Sequence, residues 1–397
     1  MKLPLILSLL FIFGMSCSEN NQQQIYEINS PASDNSSLSH LFTDNTGTVF
    51  MSWVEEKENI AQLKYATLKD DAWSAPETIA QDSTWFLNWA DYPSIIAQNG
   101  NPVAAHWLNK TPGGTYSYEV NISAFDENWS PEITPHNDGT PSEHGFVSMT
   151  PASDSSFIAI WLDGRNTAGM DHHEYADLSK AMTLRGAILN QDAKILETFL
   201  IDENVCDCCN TSITKTEKGF IATYRDRTAG EVRDIYVTSF SDGKWSQPKP
   251  VYADNWEIAA CPVNGPAIDA HGNTVAVAWF TGAEGKPHVQ LAISDDYGQN
   301  FNSPISLDTE NPIGRVDLNM TKDKIWVSWL SPANDGAQLN IRSYSHEGEK
   351  RSSASIQNLS KSRNSGFPQI SVLGDGLIVA YTDVSGKKPT VKTLVLN

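Results

Sequence analysis

Short apolar runs recur along the chain, and each ends in an aromatic residue: Trp53, Trp107, Trp161, Tyr224, Trp279, Trp329 and Tyr381. The intervals are 54, 54, 63, 55, 50 and 52 residues, and self-similarity near fifty marks an array of like supersecondary units. Within the runs, β-branched and small residues alternate, as in Thr48-Val49-Phe50-Met51-Ser52-Trp53 and Thr274-Val275-Ala276-Val277-Ala278-Trp279, which predicts strands rather than helices. A turn precedes most of them (Asn99-Gly100-Asn101, His271-Gly272-Asn273, Gly374-Asp375-Gly376). Before the turn lies another apolar stretch, opened by Pro93, Pro266 or Pro368, so each unit holds an inner hairpin. Some 20 to 22 residues past the aromatic, Trp73, Trp129, Trp245 and Phe301, each followed by a proline, mark a third-to-fourth strand turn.

Four antiparallel strands per unit, repeated radially, predict an all-β seven-bladed β-propeller over residues 25–397. The seventh unit runs out after three strands at Leu396. Ile25-Tyr26-Glu27-Ile28, which has no hairpin partner of its own, is expected to supply the fourth and close the ring.

Residues 1–16 join Lys2, an apolar run from Leu3 to Phe13 and the small-residue stretch Gly14-Met15-Ser16, and read as an export signal too short to span a membrane. Cys17 directly follows and resembles the lipid-attachment site of bacterial lipoproteins, with Gly14 where an aliphatic residue is usual. The resemblance implies an acylated Cys17 and an exported protein anchored in the bacterial cell envelope, at the periplasm or cell surface. Ordinary signal-peptidase cleavage is the alternative. Residues 17–24 would form a polar, flexible tether.

A formal charge of −20, from 48 acidic and 28 basic residues, argues against nucleic acid and anionic membrane surfaces as partners. A small or neutral polymeric ligand and a monomeric ring are expected instead. Arginine is unevenly placed: none precedes Arg165, and Arg165, Arg185, Arg225, Arg227 and Arg233 fall in units three and four.

Propeller loops between strands two and three, and loops joining units, share one face. The second residue past each aromatic is Glu55, Asn109, Asp163, Asp226, Thr281, Ser331 or Asp383. Their carboxylates are candidates to bind a cation such as calcium, to act as acid and base, or to cap neighbouring amides. Arg165, Arg225, Arg227 and Arg233 suit an anion clamp, or else pair internally with nearby aspartates. In the joining loops, Trp85, Trp89, Asp91, Glu143 and His144 are candidate ligand contacts, with core packing as the other role for the tryptophans. Met170, His172, His173 and Glu174 offer a weak metal signal. Cys206 and Cys261 both lie seven residues before an equivalent isoleucine (Ile213 and Ile268), and Cys208 and Cys209 share the first loop. Disulfides and a thiolate site for copper or zinc both remain open for these four.

Ser294-Asp295-Asp296-Tyr297-Gly298-Gln299-Asn300-Phe301 resembles the Asp-box of sialidase-like (BNR repeat) propellers, and Ser241 to Trp245 and Asp126 to Trp129 look like degenerate copies. The resemblance implies an anionic glycan at the channel face and, for an enzyme, an exo-glycosidase similar to exo-alpha-sialidase. Asp163, Asp226 or Glu143 would then be acid or base and Tyr224 the nucleophile. The Arg-Ile-Pro motif of sialidases is missing. A non-catalytic cell-surface recognition module, and a metal propeller centred on the cysteine loops with His144, are the other expectations.

Overall fold

The structure, a computed structural model, describes residues 23–168 and 178–397. The expected signal segment, Cys17, most of the tether and the group from Met170 to Glu174 lie outside the described residues.

Seven antiparallel sheets form the ring. Blade 1 runs Ser36–Thr43, Val49–Lys57 and Ile60–Lys69, with short outer strands; blade 3 runs His144–Ser153, Ser156–Asp163, Met182–Asn190 and Ile195–Val205. Blade 4 begins Ser212–Thr216, Gly219–Arg225 and Ile235–Ser241, and blade 5 comprises Ala267–His271, Thr274–Thr281, His288–Ser294 and Ile305–Asp308. All seven periodic aromatics sit on the second strand of their blade. That strand is flanked within its sheet and covered on both faces by neighbouring blades, which is why its residues are buried almost without a break.

Burying an indole also buries its N–H, which must find an acceptor. Trp53 donates to Glu55 Oε1 at 2.9 Å, Trp161 to Asp163 Oδ2 at 2.9 Å, Trp279 to Asp254 Oδ2 at 2.7 Å and Trp329 to Asp308 Oδ2 at 2.8 Å. Two of the carboxylates predicted to rim a pocket, Glu55 and Asp163, therefore serve the core.

In blade 7 the strands Gln369–Leu373, Gly376–Asp383 and Thr390–Leu396 are completed by Ile25–Ile28, which pairs antiparallel with Ile25 opposite Leu396 and Ile28 opposite Thr393. Asn397 N donates to the Gln24 carbonyl at 3.1 Å and extends the ladder by one bond. The seam this creates packs Ile28 with Leu41, Met51 and Trp53 of blade 1 and Ile378 and Val395 of blade 7.

The turn of blade 5 between His288–Ser294 and Ile305–Asp308 is tied by its own side chains. Ser294 Oγ donates to Asp296 Oδ1 at 2.7 Å and accepts from Gly298 N at 2.9 Å, and Asn300 N donates to Asp296 Oδ1 at 2.8 Å. Gly298 has φ +80, and a Cβ there would lie 2.2 Å from Ile221 Cδ1 of blade 4, so only glycine lets this turn press on the next blade.

Ile28→Asp places a charge in the closing seam and is expected to cost roughly 3 kcal/mol or more, read as a lower urea midpoint. An unchanged midpoint would mean that the ring does not close through this strand.

Candidate functional site

The first strands of the blades surround a central cavity of about 620 Å³ whose lining includes His40, Ser94, Ser148, Asp269, Asp317 and Ser371. Asp91, Tyr92, Asn210, Gly265 and Phe367, from segments that join the blades, line it as well, together with Phe146 of the first strand of blade 3. Asp91 is 1% exposed; its Oδ1 accepts from Phe146 N at 2.7 Å and its Oδ2 from Tyr118 Oη at 3.1 Å.

Of the two readings of the four arginines, anion clamp or internal pairing, the structure shows their guanidiniums engaged within the protein. Arg225 is buried, and its guanidinium donates to the carbonyls of Arg233 (2.6 Å), Asn264 (2.7 Å) and Phe280 (2.8 Å) while lying 4.8 Å from the Trp256 ring centroid. Arg227 grips Glu231 with a closest approach of 2.7 Å. Arg233, fully buried, spans Glu231 Oε2 (2.8 Å), Asp207 Oδ1 (3.1 Å) and Cys206 Sγ (3.3 Å). Arg165 is held by Asp163 (2.7 Å) and Asp138 (3.2 Å) on the neighbouring side of blade 3. A guanidinium has five donors and cannot be buried without acceptors, so these forks are occupied by the protein itself.

The tryptophans expected to stack on sugar are packed as well. Trp85 is 4% exposed and stacks on Trp107 at 5.7 Å between centroids; Trp89 lies between Phe367 at 5.8 Å and the Arg315 guanidinium at 4.8 Å. Covering a large apolar face gains more than presenting it to water.

The candidate acids divide by environment. For Asp163 burial opposes ionisation, but hydrogen bonds from Arg165 and Trp161 and the His144 charge outweigh it and hold the carboxyl below its ordinary value. Glu143 accepts from Tyr118 Oη at 2.6 Å, yet burial pushes it up to about 8. Burial, with the charge of Asp202 adding, also raises Asp226 to about 8, and burial raises Asp91 to about 7. Tyr224 is fully buried, its hydroxyl donates to Asp202 Oδ2, and burial with that charge holds it well above the usual phenol range. It is therefore placed as a core residue and not as a nucleophile at an open site.

The cysteines converge. Cys206, Cys208 and Cys209 stand on the loop between Val205, the end of blade 3, and Ser212, the start of blade 4; Cys206 N is fixed to the Arg225 carbonyl at 3.0 Å. Cys206 Sγ is 3.7 Å from Cys209 Sγ and 4.0 Å from Cys208 Sγ, and all three sulfurs lie within 4.8 Å of one another. Cys261, exposed on the segment leading to blade 5, brings its sulfur to Cys208 and Asp207 within the same limit. The structure holds all four as free thiols. Burial opposes ionisation of Cys209, but hydrogen bonds from Cys206 and Cys208 and the charge of Arg225 hold it well below the ordinary thiol value.

One glycine makes the meeting of these two loops possible. A Cβ on Gly265 would lie 2.1 Å from the Asn210 carbonyl oxygen and 2.6 Å from its nitrogen, so the loops touch backbone to backbone. Asp207, Glu231, Tyr118, Asp202 and the pair His136 and Asp138 were not singled out from sequence. Asp207 stands inside the cysteine cluster of the sequence, and His136 and Asp138 lie eight and six residues before His144, a local spacing that repeat position does not reveal.

No protein-family model and no curated protein matches the sequence. Solved structures similar to the chain include a protein of unknown function from Dyadobacter fermentans DSM 18053 (10% identity, 94% of this chain and 98% of that chain, TM-score 0.47). They also include the polysaccharide lyase Uly1 (10% identity, 88% and 88%, TM-score 0.49) and a Hadza microbial sialidase (12% identity, 75% and 63%, TM-score 0.40). Glycan-acting proteins are thus among the structural neighbours, while the ring itself rests on the strand pairing described above.

Glu143 and Asp226 bind a proton more tightly folded, with pKa about 8, than unfolded, where ordinary values of 4.5 and 3.8 apply. Their contribution to stability is full below pH about 4 and is lost as pH rises through about 8. The thermal midpoint should fall between pH 5 and 9, and Glu143→Gln with Asp226→Asn should flatten that slope; an unchanged slope would show that these carboxyls are not buried neutral.

Proposed function

We propose that the protein is an exported, lipid-anchored propeller that binds a thiophilic metal ion, copper(I) foremost, on the face where its blades are joined. The observation that carries this reading is the sulfur cluster. A metal–thiolate bond of about 2.3 Å places neighbouring ligand sulfurs of a trigonal or tetrahedral site roughly 3.7–4.0 Å apart, and Cys206 lies at 3.7 and 4.0 Å from its two partners. Soft thiolates select copper(I) over harder ions. A monovalent ion on three thiolates leaves negative charge in a buried place, and Arg233 on Cys206 with Arg225 beside Cys209 offsets it. The arginines of blade 4 thus do hold an anion, one that the chain itself supplies. Zinc is the alternative occupant.

Copper(I) added anaerobically to the reduced protein is expected to bind at roughly one equivalent and to protect three thiols from alkylation. Cys206→Ser and Cys209→Ser should each weaken binding by on the order of 100-fold, read by competition with a chromophoric chelator. Thiols that remain fully reactive, or a native disulfide that persists through copper addition, would remove the metal reading.

The channel carries a second reading. Hydroxyl, imidazole and carboxylate groups surround a cavity of about 620 Å³, which suits a small polar ligand such as an anionic sugar unit. Calorimetry with sialylated and uronate-bearing oligosaccharides tests it: binding without release of sugar indicates a recognition module, release indicates a glycosidase, and no heat at millimolar sugar excludes both.

A further inference from the structure

The segment joining blades 2 and 3 carries a second group of metal-ligating side chains, chemically unlike the first. His136 and Asp138 on that segment and His144, which opens blade 3, bring one ligand atom each within 4.8 Å of one another. Asp138 Oδ2 meets the edges of both rings, 3.0 Å from His144 Nε2 and 3.3 Å from His136 Nδ1. The two imidazoles lie face to face, 3.8 Å apart between centroids and 6° from parallel.

Hydrogen bonding leaves this group incomplete. His144 Nδ1 lies 3.3 Å from the Ser142 carbonyl, an oxygen that only accepts, so that nitrogen carries the proton. The other nitrogen, Nε2, lies 3.0 Å from Asp138 Oδ2 and 3.7 Å from Asp163 Oδ1, so two carboxylates face it. The His136 side chain is only 4% exposed, and neither of its ring nitrogens has a hydrogen-bond partner among the described residues, since the approach of Nδ1 to Asp138 is close but poorly aligned. Buried imidazole nitrogens without partners are costly. Nitrogen and oxygen ligands about 2.0–2.2 Å from a zinc ion lie roughly 3.3–3.5 Å from one another in a tetrahedral site. The two approaches to Asp138 are 3.0 and 3.3 Å, and since each lone pair lies in its own ring plane, the stacked rings must turn apart to share one ion.

We propose that His136, Asp138 and His144 form a second metal site, for a borderline divalent ion such as zinc(II). Asp163, neutralised by its two bonds to Arg165, faces His144 from outside the ligand set, and the Arg165 Nη2 contact to Asp138 at 3.2 Å steadies the carboxylate. Its donors are nitrogen and oxygen and come from other elements than the cysteine loops, so this site does not rest on the copper reading.

The experiment loads the mature protein with zinc(II) alone after its cysteines have been alkylated. Roughly one equivalent should still bind, measured by competition with a chromophoric chelator, and His136→Ala should weaken that binding at least 10-fold with an unchanged circular dichroism spectrum. Cobalt(II) added to unmodified protein gives a second readout that does not depend on alkylated protein remaining folded. A class of bound cobalt with d–d bands but without thiolate charge transfer should be present and should vanish in His136→Ala. Absence of that class, or zinc uptake by alkylated protein that is indifferent to His136→Ala, overturns the site and shows that His144 and Asp138 are an imidazolium–carboxylate pair. Loss of copper(I) binding on alkylation with zinc(II) binding retained separates the two sites.

Discussion

The backbone ladder between Ile25–Ile28 and Thr393–Leu396 is the constraint on which the rest depends. Without it the last blade has an open edge, and the apolar faces of Ile378 and Val395 on one side and Leu41 and Trp53 on the other have nothing to hold them together. Closed, the ring fixes the position of every joining segment relative to every other. A cysteine at 206 can then stand against a loop that carries another at 261, with no need for the two to be adjacent in sequence.

Within that frame the electrostatics run inward. A chain with a net charge of −20 has turned its scarce arginines toward its own anions: Arg233 to Asp207, Glu231 and Cys206, Arg227 to Glu231, and Arg165 to Asp163 and Asp138. The joining-loop face is consequently a set of internally balanced clusters, each built around groups that are expensive to bury alone.

The architecture was legible because it is written in repetition. Seven aromatics at near-constant spacing, on strands of alternating small and branched residues, define blades whatever their individual contacts, and an unpartnered apolar tetrapeptide at the beginning matched a missing strand at the end. The site was less legible, since repeat position says which face a residue occupies but not which way its side chain turns. Arg225 was read as a rim residue just past Tyr224, whereas it ends the strand itself, and the sequence held no sign that three main-chain carbonyls would take up its fork. Trp85 was likewise read as a loop residue, and its stacking on Trp107 depends on a neighbour outside its own segment. Burial of Glu143 and Asp226, which sets their protonation, is a property of the assembled loops and has no local sequence signature.

Gly265 has one more consequence. The loops that carry Cys208 and Cys261 meet at bare main chain, with no side chain between Asn210 and the glycine to absorb a shift. The approach of Cys261 to Cys208 is thereby geared directly to the seam between the fourth and fifth sheets, so any breathing of the ring changes how closely the exposed sulfur nears the other three.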